Sequence, residues 1–188
     1  MIKIGLTGSL ASGKTTASKI ISKNRGPLFS ADDAVKKLYK EKSFRKLVIK
    51  KFKFKSEFKL KVKLKKEILR DKSHLTKLEK IIHPLVRKEM FNFLRLNKKK
   101  KILFLEIPLL IESKLMKHFD VIIFIKSDTK YRLQRYKAKN GKMDLFNYLN
   151  KQQMKDSKKM KLCDHIVVNN KSLPILKNKL LSIIKLYE

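Results

Sequence analysis

Residues Gly5–Thr16 read GLTGSLASGKTT, and no other stretch constrains the fold of this 188-residue chain so tightly. It holds three of the chain's five glycines. Gly8, Ser9, Leu10, Ala11, Ser12, Gly13, Lys14 and Thr15 satisfy the pattern GxxxxGK[ST] at every fixed position. Each position has a physical reason. Gly8 and Gly13 let the backbone bend so that successive N–H groups point at one anion. A helix starting behind the loop adds the partial positive charge of its N-terminus. Lys14 reaches the outer phosphates of a nucleotide such as ATP, and the Thr15 hydroxyl is placed to ligate Mg2+. Thr16 follows in the same first turn and counts with the nucleotide-binding residues. The apolar run Met1–Leu6 before the loop, and Ala17, Ile20 and Ile21 at helical spacing after it, supply strand–loop–helix context. The loop therefore predicts a phosphate cradle. It leaves open what receives the phosphate.

The rest of the chain alternates between two patterns. Pro27-Leu28-Phe29 reads as a brief second strand, and Ala31–Lys40 as a helix opening on two carboxylates. From Phe44 to Lys100 apolar residues recur at three- and four-residue steps, which predicts helices with a boundary at His83-Pro84. The alternation Phe52-Lys53-Phe54-Lys55 is a short candidate strand. Near-continuous apolar runs return at Ile102–Leu105, Val121–Ile125 and Ile166–Val168, the signature of parallel strands covered on both faces. Helices are expected at about 128–138, 145–160 and 172–186. Strands alternating with helices argue for an α/β fold with a parallel sheet.

Charge is the anomaly: Lys+Arg number 49 against 16 Asp+Glu, for a net charge of +33. Such an excess can mark a nucleic-acid partner. Only seven of the basic residues are Arg, however, leaving 42 Lys spread along the whole chain. Arg is the residue preferred for bidentate phosphate and base contacts. A drift toward Lys, Ile and Asn also follows from AT-biased codons, so the charge permits an anionic partner without identifying one. The single cysteine, Cys163, excludes an internal disulfide and a cysteine-built metal site. No apolar run approaches the roughly 20 residues of a membrane span, and no secretory leader is evident. The expectation is a cytoplasmic protein with no membrane and no obligatory nucleic-acid partner, as a monomer or weak homo-oligomer.

A phosphate loop alone fits kinases, GTPases and ATP-driven motors. No NKxD-like guanine signature is present, and the chain is short for a motor, which leaves a small-molecule kinase as the leading class. Asp32 and Asp33 follow the second strand, at the sheet edge where α/β proteins bind ligands. Either could accept a proton from an attacking hydroxyl, or simply suit the start of a helix. Glu106, ending a central strand, could support Mg2+ through water or merely close the sheet.

The loop, then SADDAVKKLY, LEKIIHPLVRKEM, FLEIPLLIESKL, the LQR segment and HIVVNN, resemble the dephospho-CoA kinase family in order and over nearly the full length. The resemblance implies a P-loop kinase fold: a three-layer α/β/α domain over 1–188 with a five-stranded parallel sheet. Within it lie a helical acceptor-binding subdomain at about 44–100 and a lid at about 128–155. It implies ATP and Mg2+, and transfer to the ribose 3′-hydroxyl of dephospho-CoA. The family's D-A-D signature falls on Ser30-Ala31-Asp32, which makes Asp32 the base while Ser30 replaces the first carboxylate and leaves Asp33 as a rival. H-P-L falls on His83-Pro84-Leu85, which places His83 beside the acceptor, with Arg87 on the same face if the helix continues through Pro84. Arg135 matches the lid arginine that would join Lys14 in neutralising charge, Lys139 stands for the second one, and Asn169 falls in a segment near adenine. The alternatives are another small-molecule or nucleotide P-loop kinase, or a nucleic-acid-binding ATPase.

Overall fold

In a computed structural model residues 1–188 are described. Strand β1 (Ile2–Gly8) lies at the centre of a five-stranded sheet, flanked by β3 (Ile102–Glu106) and β4 (Val121–Lys126). Strand β2 (Leu28–Ser30) adds outside β3, and β5 (His165–Val168) adds outside β4. The order is β2-β3-β1-β4-β5 and every pairing is parallel. The chain builds one side of β1 first and then crosses to the other. Ligands in such sheets bind beyond the carboxyl ends of the strands, at the strand where the winding reverses. The glycine-rich loop leaves β1 at that point.

The chain forms two compact units, Met1–Ser30 with Asn97–Glu188, and Ala31–Leu96. In the first, alternate strand residues (Ile4, Leu6, Phe104, Ile123, Val167) pack against two helices. These are α1 (Lys14–Ser22), through Ala17 and Ile21, and α9 (Leu173–Ile184), through Leu176, Leu180 and Ile184. The intervening residues Leu103, Leu105, Ile122 and Phe124 are buried as well. Burial on both faces explains why β3 and β4 read as unbroken apolar runs rather than as an alternation. In β5, expected to be covered likewise, only Val167 is buried while Ile166 and Val168 are exposed, because β5 is an edge strand of the sheet.

Three further helices complete this unit: α6 (Thr129–Lys137), α7 (Met143–Gln152) and α8 (Asp156–Met160). The single helix expected over 145–160 is therefore two, broken at 153–155. Neither Pro nor Gly lies at the break, and its cause is tertiary. The Met154 N–H donates to Glu112 Oε1 at 3.2 Å instead of continuing the helix. The same carboxylate lies 2.5 Å from the ammonium of Lys159, which has no solvent exposure. Lys159→Met would leave the Glu112 charge without its partner, an effect expected to cost roughly 3–5 kcal/mol. Urea unfolding should register that loss, and Glu112→Gln in the same background should recover part of it. A Lys159→Met protein as stable as the parent would mean that the pair anchors nothing.

The second unit is wholly helical: α2 (Ala31–Leu38), α3 (Lys42–Phe52), α4 (Leu60–Arg70) and α5 (Ser73–Leu96). Leu38, Phe44, Val48, Leu60, Leu64 and Leu78 form its core. The candidate strand at Phe52–Lys55 is instead a helix end. Lys53 takes φ 55 and caps α3, and this turn stacks the Phe52 and Phe54 rings at 5.7 Å. Helix α5 runs straight through the expected boundary at Pro84. Proline forfeits one backbone hydrogen bond there, while Ile81, Ile82, Leu85 and Val86 on both sides pack against the core and keep the helix continuous.

Candidate active site

The phosphate loop is built by hydrogen bonds to its own carbonyls. Lys14 is buried, and its ammonium donates to the carbonyls of Gly8 at 3.0 Å and Ser9 at 2.8 Å. The Ser12 N–H closes a turn on the Ser9 carbonyl at 3.1 Å. Ala11, third in that turn, adopts φ 59. A left-handed backbone costs a residue with a Cβ about 1–2 kcal/mol, so something must hold Ala11 there. Gly8 and Gly13 have φ 149 and 98, and a Cβ on either would collide, with the Ile125 carbonyl and the Asn169 amide respectively. The two fixed glycines are thus required by space as well as by conformation.

Several side chains from beyond β4 grip the loop. Asn169 Nδ2 donates to the Ser12 carbonyl at 2.8 Å, and Arg135 Nη1 approaches the same oxygen at 3.4 Å. Arg135 also donates to Ser127 Oγ at 3.0 Å and to the Asn169 carbonyl at 2.8 Å. Arg132 Nη1 reaches the Leu10 carbonyl at 3.4 Å, and Gln153 Oε1 accepts from the Leu10 N–H at 3.0 Å. A trans peptide carries its C=O and N–H on opposite edges. Holding the Leu10 and Ser12 carbonyls from one side turns the N–H groups of Ala11 and Gly13 to the other. The Ser12 hydroxyl is buried without a hydrogen-bond partner, and helix α1 begins at Lys14. Donors, a lysine and a helix N-terminus converge on one place, an arrangement that fits a polyphosphate.

Thr15 Oγ1 donates to Glu106 Oε1 at 2.7 Å, and Ser18 Oγ to Glu106 Oε2 at 3.2 Å. Glu106 ends β3, in register with Leu6 of β1 and Ser30 of β2, and is 1% exposed. A buried carboxylate touching the loop threonine joins two hard oxygen donors. No group of three or more His, Cys, Asp and Glu residues is placed to bind a metal by itself. Burial first, and then the charge of Asp164, push the Cys163 thiol up to about 12, which disfavours the thiolate.

The structure brings together Gly8 through Thr15, Glu106, Arg135 and Asn169. Asn169 spends its amide on the Ser12 carbonyl. Thr16 is exposed in the first turn of α1, and Lys139 is exposed in the turn after α6. In the helical unit, Asp32 and Asp33 fall in the first turn of α2. Asp33 is tied to Lys36 of the same helix at 2.7 Å, whereas Asp32 is exposed and makes no ion pair. His83 and Arg87 occupy one exposed stripe of α5 and line a groove of about 480 Å³ with Lys88, Phe91 and Asn92. Sequence reasoning missed Arg132, Gln153 and Asp156, whose carboxylate accepts from Ser9 Oγ. One signal was available. Arg132 and Arg135, three apart on a helix, are two of only seven Arg in a chain that otherwise writes its basic residues as Lys.

Comparison with known proteins identifies the family and the fold. The family model described as dephospho-CoA kinase (CoaE) matches residues 2–174. The dephospho-CoA kinase of Bartonella henselae is 34% identical over 189 residues, covering 97% of this chain and 96% of its own. That of Bartonella quintana is 35% identical over 187 residues, with the same coverage. The solved structure of dephospho-CoA kinase from Campylobacter jejuni shares the fold, with a TM-score of 0.68 and 23% identity over 97% of this chain and 95% of that one. The full-length match and the intact phosphate loop lead to one assignment: the chain belongs to the dephospho-CoA kinase family.

Proposed function

We propose that this protein transfers the γ-phosphoryl group of ATP to the ribose 3′-hydroxyl of dephospho-CoA, giving coenzyme A. The observation that carries this reading is the complete phosphate loop, with Lys14 buried and Thr15 on Glu106, in a chain that matches its family from residue 2 to residue 174. Gly8 through Thr16 would hold the ATP phosphates. Asp32 would accept the proton of the 3′-hydroxyl as its oxygen bonds to the γ-phosphorus. The bond to the leaving oxygen then breaks and its electron pair stays on ADP. Asp32 is favoured over Asp33 because Asp33 is already paired with Lys36. Lys14 and Arg135 would neutralise charge on the transferring group, and catalysis is chiefly positioning and electrostatics.

Thr15 and Glu106 fit Mg2+, an ion that takes one or two protein oxygens and fills its shell with water and phosphate oxygens. Bound there, Mg2+ would draw charge from the phosphates. His83 and Arg87 would meet the acceptor in the helical unit, so that residues 44–100 act as the acceptor-binding part. Residues 128–155 would serve as the lid, the turn at Lys139 moving toward the phosphates on closure while Arg132 and Gln153 keep their contacts to the loop, and Asn169 would border the nucleotide site. No helix is long and apolar enough to cross a membrane. We infer a cytoplasmic location and a monomer or weak homo-oligomer.

A coupled assay offering ATP and Mg2+ with dephospho-CoA, AMP or RNA tests the reading. Dephospho-CoA should be converted to a product with the mass and retention of coenzyme A, while the other two should give little turnover. Folded protein that leaves dephospho-CoA unchanged would overturn the proposal. Hydrolysis stimulated by RNA and steeply weakened by salt would favour an ATPase acting on nucleic acid.

A further inference from the structure

Beyond the residues assigned above, we propose that Arg132 and Gln153 are positioning residues that set the shape of the phosphate loop by gripping the two peptide groups on either side of Leu10. Gln153 Oε1 accepts from the Leu10 N–H at 3.0 Å, and Arg132 Nη1 donates to the Leu10 carbonyl at 3.4 Å. The residue they brace is Ala11, which carries φ 59 where the turn would favour glycine. Two fixed peptide groups before it leave Ala11 little freedom to relax to a right-handed conformation. Its N–H is thereby kept turned toward the phosphate side.

Arg132 is itself held on several sides. It is 5% exposed, its guanidinium donates to Asn150 Oδ1 at 2.7 Å and to Thr129 Oγ1 at 3.1 Å, and it lies 5.7 Å from the Phe146 ring centroid. Burial holds its pKa below the ordinary value, while the charge of Asp156 pushes back. That same Asp156 accepts from Ser9 Oγ, and Glu112 fastens the segment through Met154 and Lys159. The break between α7 and α8 thus has a use: it turns Gln153 onto the loop. The inference rests on the reading of the loop as an ATP site, and it does not depend on the acceptor.

The test measures ADP affinity by calorimetry, and KM for ATP where turnover is available, in Arg132→Met, Gln153→Leu, Ala11→Gly and the two pairings with Ala11→Gly. Arg132→Met and Gln153→Leu should each weaken ADP about tenfold and raise KM for ATP similarly, with the KM for dephospho-CoA little changed. Ala11→Gly supplies a residue that enters the left-handed region without strain, so adding it to either variant should restore at least half of the lost affinity on a logarithmic scale. A merely structural role would lower thermal stability and gain nothing from glycine at position 11. Unchanged ADP affinity in both single variants, or no rescue by Ala11→Gly, would overturn the proposal. If the parent binds ADP but does not phosphorylate dephospho-CoA, the functional reading fails and the affinity test of this inference still stands. A variant that fails to fold by circular dichroism is replaced by Arg132→Lys or Gln153→Met, read in the same way.

Discussion

Asp32→Asn is expected to lower turnover by about 10²–10⁴-fold, the usual contribution of a positioned general base, while ADP binding persists. The substitution preserves size and removes only the ability to take a proton. Asp32 is exposed, so its loss should hardly alter folding. The comparison with Asp33→Asn carries the argument. Asp33 already shares a 2.7 Å contact with Lys36, and its loss should cost far less turnover. Steady-state kcat with dephospho-CoA, beside calorimetric ADP affinity, separates chemistry from binding. If Asp32→Asn retains turnover and Asp33→Asn abolishes it, the base is Asp33.

Glu106→Gln should weaken the apparent affinity for Mg2+ by about 10–100-fold, the range typical of a carboxylate supporting a metal ligand. Its oxygens accept from Thr15 Oγ1 at 2.7 Å and Ser18 Oγ at 3.2 Å. Glutamine keeps the volume and one acceptor but loses the charge. Glu106→Ala is the harsher change, since it removes the shared acceptor altogether: the exposed Thr15 hydroxyl can turn to water, while buried Ser18 Oγ is left with only the Thr15 carbonyl at 3.1 Å. Titrating activity against Mg2+ and following thermal unfolding distinguishes the two effects. Should Glu106→Gln lose stability and keep its Mg2+ requirement, Glu106 would be a sheet-end residue with no part in metal binding.

The strand–loop–helix context of the phosphate motif was legible because its signal is local: an apolar stretch, eight consecutive loop residues and a helix that begins at Lys14. Strands β3 and β4 were legible as well, because burial on both faces writes itself as a run such as Val121–Ile125; β5 also reads as an apolar run, although Ile166 and Val168 are exposed at the sheet edge. What lay hidden depends on partners distant in sequence. Nothing near Gln153 signals a helix break, because the break is made by Glu112 and Leu10. Pro84 gave the opposite error, a local rule overridden by the packing of Ile81, Leu85 and their neighbours. Arg132 was passed over because residues in an otherwise polar helix look solvated until the fold places Leu10 and Phe146 around them.

The hydrogen bond from Asn169 to Ser12 joins positions 157 apart. A ribosome making this chain completes the loop early, yet the shorter of the two braces on the Ser12 carbonyl, from Asn169, cannot form until residue 169 has been made. Nucleotide capture by the proposed site is therefore expected only after β5 has been made. A nascent chain stalled before β5 would carry the motif without a finished cradle, so ATP would select molecules whose sheet is closed and stabilise them by mass action.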